Sequence, residues 1–160
     1  MDDSKKRDIF RLAISIGVCL GVGLLGSIFT TPAIPTWFAG LEKPAFNPPN
    51  WLFAPVWTAL YVLMGIAFFL VWKKDMGKDR KAYALFEIQL TLNFAWSIVF
   101  FGMHSTLGGL VAISLLWVAI LLTILRFAKT SKPAAWLLFP YLCWVTFAAI
   151  LNGYIYALNA

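Results

Sequence analysis

The chain has 160 residues, of which 61% are hydrophobic and 12% charged, with a net charge of +6 and a mean hydropathy of +0.81. Soluble chains are roughly half apolar and about a quarter charged, and a soluble domain of this size could not bury 14 Phe, 8 Trp and 5 Tyr without leaving a very large apolar surface. A soluble enzyme is all but excluded: the surplus apolar mass has to face lipid.

A helical span needs about 20 apolar residues. The sequence offers five such runs, at Ile9 to Phe29, Trp51 to Trp72, Tyr83 to Met103, Leu107 to Phe127 and Ala134 to Ala157. Runs such as Leu110 to Leu125 do not alternate apolar with polar residues, which sets a transmembrane barrel aside. The expectation is an all-α integral membrane protein made of one five-helix transmembrane bundle spanning residues 1–160. The first run follows Lys5, Lys6 and Arg7 as a secretory signal would. It exceeds the about 7 to 15 residues of a signal core and ends without a small-x-small site, so it reads as a retained helix.

Lys5, Lys6, Arg7 and Arg11 flank the start of span one. Lys73, Lys74, Lys78, Arg80 and Lys81 fill the second connection, and Arg126, Lys129 and Lys132 the fourth. These are twelve of the 13 basic residues, with only Lys43 opposite, so the positive-inside rule places the N-terminus in the cytoplasm and the C-terminus outside. Because the cations hug membrane edges and lack an interleaved aromatic platform, no nucleic-acid partner is expected. Cys19, Cys143 and the single His104 form neither a disulfide framework nor a zinc set, so no metal is expected. No paired intramembrane carboxylates, phosphate loop or Ser/His/Asp grouping supports conventional catalysis, and no cofactor is expected.

Tryptophan prefers membrane interfaces, which accounts for Trp51, Trp72 and Trp136 at span ends. Trp57, Trp96, Trp117 and Trp144 lie deeper, one on each of spans two to five, at similar depths in the outer half or centre. That coincidence predicts a shared cavity. Gln89, Asn93 and Trp96 fall at i, i+4, i+7, so the face they share must point inward. Its amides serve either interhelical hydrogen bonds or a ligand. Trp57 with Tyr61, and Tyr141 with Trp144, Ala148 and Asn152, form similar stripes on spans two and five. Gly17 with Gly21, and Ala149 with Gly153 and Ala157, permit close helix approach, either within the bundle or across a homodimer. Residues 30–50 carry Pro32, Pro35, Pro44, Pro48 and Pro49, which forbid regular helix or strand through much of the segment. This predicts a stiffened lid on the outer side, above an aromatic-lined pocket.

The run from Trp37 through Lys43-Pro44-Ala45-Phe46-Asn47-Pro48-Pro49, followed by Val56-Trp57-Thr58-Ala59-Leu60-Tyr61 and Met64-Gly65, resembles the translocator protein family. The same family is known as TspO/MBR, tryptophan-rich sensory or peripheral-type benzodiazepine receptor proteins. The match continues through Gln89-Leu90, Asn93, Trp96, Phe100-Phe101-Gly102, Pro140-Tyr141, Trp144 and Leu151-Asn152. The resemblance implies a five-helix bundle, often dimeric, that binds porphyrins such as protoporphyrin IX and isoquinoline carboxamide drugs under the first loop. It further implies a place in tetrapyrrole handling and stress regulation. By position the pocket maps to Trp37, Phe38, Pro48, Trp57, Asn93, Trp96, Leu115, Trp144 and Ala148, and Tyr61 joins it from the span-two stripe. Some bacterial relatives of this kind degrade protoporphyrin in light, which points to Trp57 and Trp144 as photochemical residues. Transport of tetrapyrroles is the other alternative to simple binding. Two departures stand out: Ala45 precedes Phe46 where two aromatics are common, and no Lys or Arg follows Tyr154 and Tyr156, so sterol binding is not implied.

Overall fold

The computed structural model describes residues 3–160. Five helices carry the chain: α1 (Asp3–Ala33), α2 (Phe53–Asp75), α3 (Arg80–Ser97), α4 (Thr106–Thr130) and α5 (Lys132–Asn159). No strand occurs among the described residues, and all five helices are long and apolar enough to cross a membrane. The protein is a multi-pass integral membrane protein. Its large apolar side chains point out as well as in, with Leu24 and Trp136 each 70% exposed, which is tolerable in hydrocarbon and not in water.

Helix ends are set by local chemistry. Asp79, Ser105 and Ser131 cap α3, α4 and α5, accepting from the backbone N–H groups of Ala82, Gly108 and Ala134, the usual relief for orphan donors in a first turn. At the end of α2 the chain turns through left-handed Met76 (φ 56°) and Gly77 (φ 87°), a stop that favours glycine. Around the bundle the neighbours run α1, α2, α5, α4, α3 and back to α1. At the crossing of α1 and α2, a side chain at Gly65 would come within 2.8 Å of Ile16 N, so only glycine permits that approach.

The expected lid is shorter than residues 30–50. Helix α1 continues through Pro32, and a π-helical turn (Ile34–Phe38) carries it past Pro35. A widened turn absorbs the missing proline N–H groups, and Thr36 Oγ1 donates to Pro32 O at 2.7 Å. In lipid, unpaired backbone is costlier than an irregular helix. The irregular cover is therefore confined to residues 41–49. Lys43 fastens its start, its ammonium donating to Phe38 O at 2.7 Å and Leu41 O at 2.6 Å. The same end meets α5: Glu42 N donates to Asn159 Oδ1 at 3.0 Å while Asn159 Nδ2 donates to Glu42 O at 2.9 Å.

On the basic side, Arg126 grips Asp79 through two nitrogens, at 2.8 Å to Oδ2 and 2.9 Å to Oδ1, tying the start of α3 to α4. The guanidinium hydrogen bond, helped by the Ala82 N–H, holds the Asp79 carboxyl below the usual aspartate range. Lys73 pairs with Asp8 at 2.7 Å, joining α2 to α1.

The two GxxxG-like patterns differ in use. A side chain added at Gly17 or Gly21 would meet nothing within 4 Å, whereas Gly153 faces Leu110 at 3.9 Å. The α1 pattern is thus not spent inside the bundle.

Candidate ligand-binding site

The Gln89, Asn93 and Trp96 face of α3 is buried, at 1%, 1% and 8% exposure, as an amide-bearing face in lipid must be. Asn93 is the junction of a relay across three helices. The Tyr61 hydroxyl of α2 donates to Asn93 Oδ1, and Asn93 Nδ2 donates to the Tyr141 hydroxyl of α5 at 2.8 Å. One amide hydrogen of Asn93 is left for any other acceptor. Gln89, one turn away, has neither its oxygen nor its nitrogen hydrogen-bonded.

Above this relay the aromatic residues converge. Trp57 lies 6.1 Å from Trp96 with the ring planes 32° apart, and 5.8 Å from Tyr61. Trp96 stacks on Phe100 at 5.7 Å, and its N–H donates to Asn152 Oδ1 of α5 at 3.2 Å. The rings of Trp57, Tyr61 and Trp96 form one wall of a cavity of about 160 Å³. The opposite wall is α1, through Gly23, Gly26, Ser27 and Thr30. A side chain on Gly23 would overlap the Tyr61 ring, with Cδ2 only 2.6 Å away, so the glycine makes the room that Tyr61 occupies. Exposed Ser27, Thr31, Asn50 and Ala54 also line the cavity, which opens between α1 and the start of α2. A second cavity of about 30 Å³ lies toward α5, against Ala148, Leu151, Asn152 and Ile155.

Of the residues expected from the sequence, Phe38, Trp57, Tyr61, Asn93 and Trp96 line the larger cavity, and Ala148 lines the smaller. Trp144 lines neither; its ring packs edge-on against Phe53 at 6.2 Å, and its indole N–H is buried without an acceptor. Trp37 also lies outside both, stacked on His104 at 4.8 Å and set against Phe100. Pro48 belongs to the cover and reaches neither cavity. Leu115 is misassigned: it is 55% exposed on the outer face of α4, one position short of the buried Leu116 that the helical period turns inward. Trp117 does not share the cavity either; its N–H donates to Thr146 Oγ1 at 2.8 Å in an exposed pair.

The α1 wall and Phe53 escaped the sequence reading. The signal was the Gly23 and Gly26 spacing with Ser27 and Thr30 just beyond, a small and polar strip in a span that otherwise looked generic. Neither lining contains Asp, Glu, His, Lys or Arg, and among the described residues no group of three or more His, Cys, Asp or Glu could hold a metal. What such a lining offers is ring stacking, apolar contact and a few amide and hydroxyl hydrogen bonds.

The model of the TspO/MBR family matches residues 15–158. The chain is 52% identical to the tryptophan-rich protein TspO of Chlorobaculum tepidum, over 96% of this chain and 98% of that protein. It is 40% identical to the human translocator protein, over 89% of this chain and 83% of that one. Identity to the tryptophan-rich sensory protein of Cereibacter sphaeroides is 36%, over 72% of each chain. With the family match running over residues 15–158, from within α1 to the last turn of α5, and with relatives 52% and 40% identical over most of their length, the chain belongs to the TspO/MBR family.

Proposed function

We propose that the protein is a membrane receptor for flat aromatic macrocycles, with protoporphyrin IX as the tetrapyrrole to test first and isoquinoline carboxamides as smaller ligands of the same site. The observation that carries this reading is the wall of Trp57, Tyr61 and Trp96 facing a cavity free of ionised side chains. A conjugated ring stacks on the indoles, and the spare Asn93 hydrogen with the Ser27 and Thr30 hydroxyls meets its polar edge. Sites for drug-sized ligands occupy roughly 300 to 1,000 Å³, so about 160 Å³ receives one edge of a macrocycle, the remainder lying in the mouth between α1 and α2.

Titration of protoporphyrin against tryptophan fluorescence tests the proposal. Each aromatic contact contributes about 0.5 to 1.5 kcal/mol beyond area burial, so Trp57→Ala weakens binding severalfold or more. Unchanged affinity in Trp57→Ala and Trp96→Ala would remove the reading. Following the porphyrin spectrum in the same samples under illumination separates binding from light-dependent degradation. Transport is a second reading, favoured by the cavity's opening between two helices. Porphyrin uptake into proteoliposomes, above protein-free vesicles, decides for it.

The proposed orientation has the N-terminus in the cytoplasm and residues 41–49 outside, from the distribution of basic residues. In a Cys143→Ser background, Ala39→Cys reacts with an impermeant maleimide in intact cells and Met76→Cys does not. The opposite labelling overturns the orientation. The proposed protein partner is a second copy, packed on the open Gly17 and Gly21 face of α1. Gly17→Leu with Gly21→Leu then converts dimer to monomer in light scattering, and an unaltered mass removes that interface.

A further inference from the structure

The two cavities are separate in volume but share four wall residues: Phe38, Phe53, Trp96 and Phe101. Three of these are held fast. Phe38 is 3% exposed, set against Phe100 and Phe101, with the Lys43 ammonium 5.0 Å from its ring centre. Trp96 is stacked on Phe100 and hydrogen-bonded to Asn152. Phe101 is 6% exposed between Phe100 and Trp96. Phe53 differs. It is half-buried in the opening turn of α2, directly after a 3₁₀ turn (Asn50–Leu52) that follows Pro49, and its one ring neighbour among the described residues is Trp144. That neighbour carries the buried indole N–H that has no acceptor, an arrangement that costs stability unless something else supplies one.

We propose that Phe53 is a movable partition within a single ligand site, and that its position sets how large a planar ring system the protein accepts. The proposal deepens the receptor reading, since it assumes that flat aromatic molecules enter the larger cavity. With Phe53 in place the enclosed compartment is about 160 Å³, and the body of a wider ring system is left in the mouth between α1 and α2. With Phe53 turned aside, the compartment beside Ala148 and Leu151 joins it, and Trp144 becomes part of the wall with its N–H available to a carbonyl or carboxylate on the ligand. The larger ligand thus meets the donor that the smaller one never reaches. Phe53 acts here as a specificity-determining residue.

The test uses the full chain in lipid nanodiscs, with protein-free nanodiscs subtracted. Two probes are compared by saturable tryptophan quenching: isoquinoline-3-carboxamide, with two fused rings, and pyrene-1-carboxamide, with four. Phe53→Ala is expected to bind the four-ring probe about tenfold more tightly, equivalent to about 1.4 kcal/mol, while binding of the two-ring probe is unchanged or weaker. Phe53→Trp, which thickens the partition, moves the ratio of the two affinities the other way and keeps the test open should the alanine variant fail to fold. Trp144→Phe placed in the Phe53→Ala background removes part of the gain. An affinity ratio that neither variant changes overturns the partition, as does a failure of both probes to bind saturably. A shifted ratio in a protein that binds no porphyrin would instead leave the partition standing and remove the tetrapyrrole.

Discussion

The N–H of Trp96 donates to Asn152 Oδ1 across 3.2 Å, and the same Asn152 donates from Nδ2 to Thr106 O at 3.0 Å. One amide on α5 therefore steadies the aromatic wall of α3 and the first turn of α4 together. Asn152→Leu removes both bonds and buries the Trp96 donor unpaired, a loss of about 1 to 3 kcal/mol. A lowered thermal midpoint in detergent and weaker porphyrin binding are the expected readouts. An unaltered midpoint would show the bonds to be dispensable.

Asn93 and Gln89 sit one turn apart on the same buried face and should respond oppositely to loss of their amides. Asn93→Leu strands the Tyr61 and Tyr141 hydroxyls and costs about 1 to 3 kcal/mol. Gln89→Leu removes an amide with no partner, so it is neutral or stabilising, because replacing an unsatisfied polar group by an apolar one of similar shape relieves desolvation. Thermal denaturation of the two variants side by side checks the contrast. Equal destabilisation would mean that Gln89 is satisfied.

Gly23→Ala places a methyl against the Tyr61 ring. Overpacking of this kind costs about 1 to 3 kcal/mol and drives Tyr61 off Asn93, so the protein loses stability and the cavity loses its shape. Gly40→Ala, with open space around it, is the matched control. A crystal or cryo-EM structure of Gly23→Ala with Tyr61 unmoved would contradict this account of the α1 wall.

The Asp79 and Arg126 pair gives a pH dependence of determined sign. Its folded carboxyl titrates below the unfolded value of about 3.9, so the stabilisation is complete above that value and is lost as pH falls through the depressed folded one. Asp79→Asn keeps an oxygen to cap α3 but loses the ion pair. Its thermal midpoint should lie below wild type at pH 7, and the gap should narrow as the medium is acidified toward pH 3. A gap of constant size would assign the effect to the cap alone.

Five helices, their inward amides and the convergence of Trp57 with Trp96 were legible because lipid enforces two simple rules: apolar length makes a span, and a polar group inside it must face a partner. The cover was overread because proline counts as a helix breaker in water, whereas α1 passes Pro32 and Pro35 by widening a turn. Leu115 was misplaced because its assignment came from correspondence of position, while the burial of Leu116 follows from the helical period. Trp144 could not be located from depth alone. Depth places it level with the cavity, and only the packing of Phe53 decides which side of that ring it occupies. The α1 wall was missed because glycines mark close approach without naming what approaches.

The reciprocal bonds between Glu42 and Asn159 join residues 117 positions apart, which gives the cover a place in time as well as in space. At roughly 5 to 20 residues per second, synthesis leaves about 6 to 23 s between the emergence of the cover and that of the residue that pins it. Helices α2, α3 and α4 are made within that interval, while the cover stays unpinned on the α5 side. A cover fastened to α5 is thus a property the nascent chain acquires only when its fifth helix has docked.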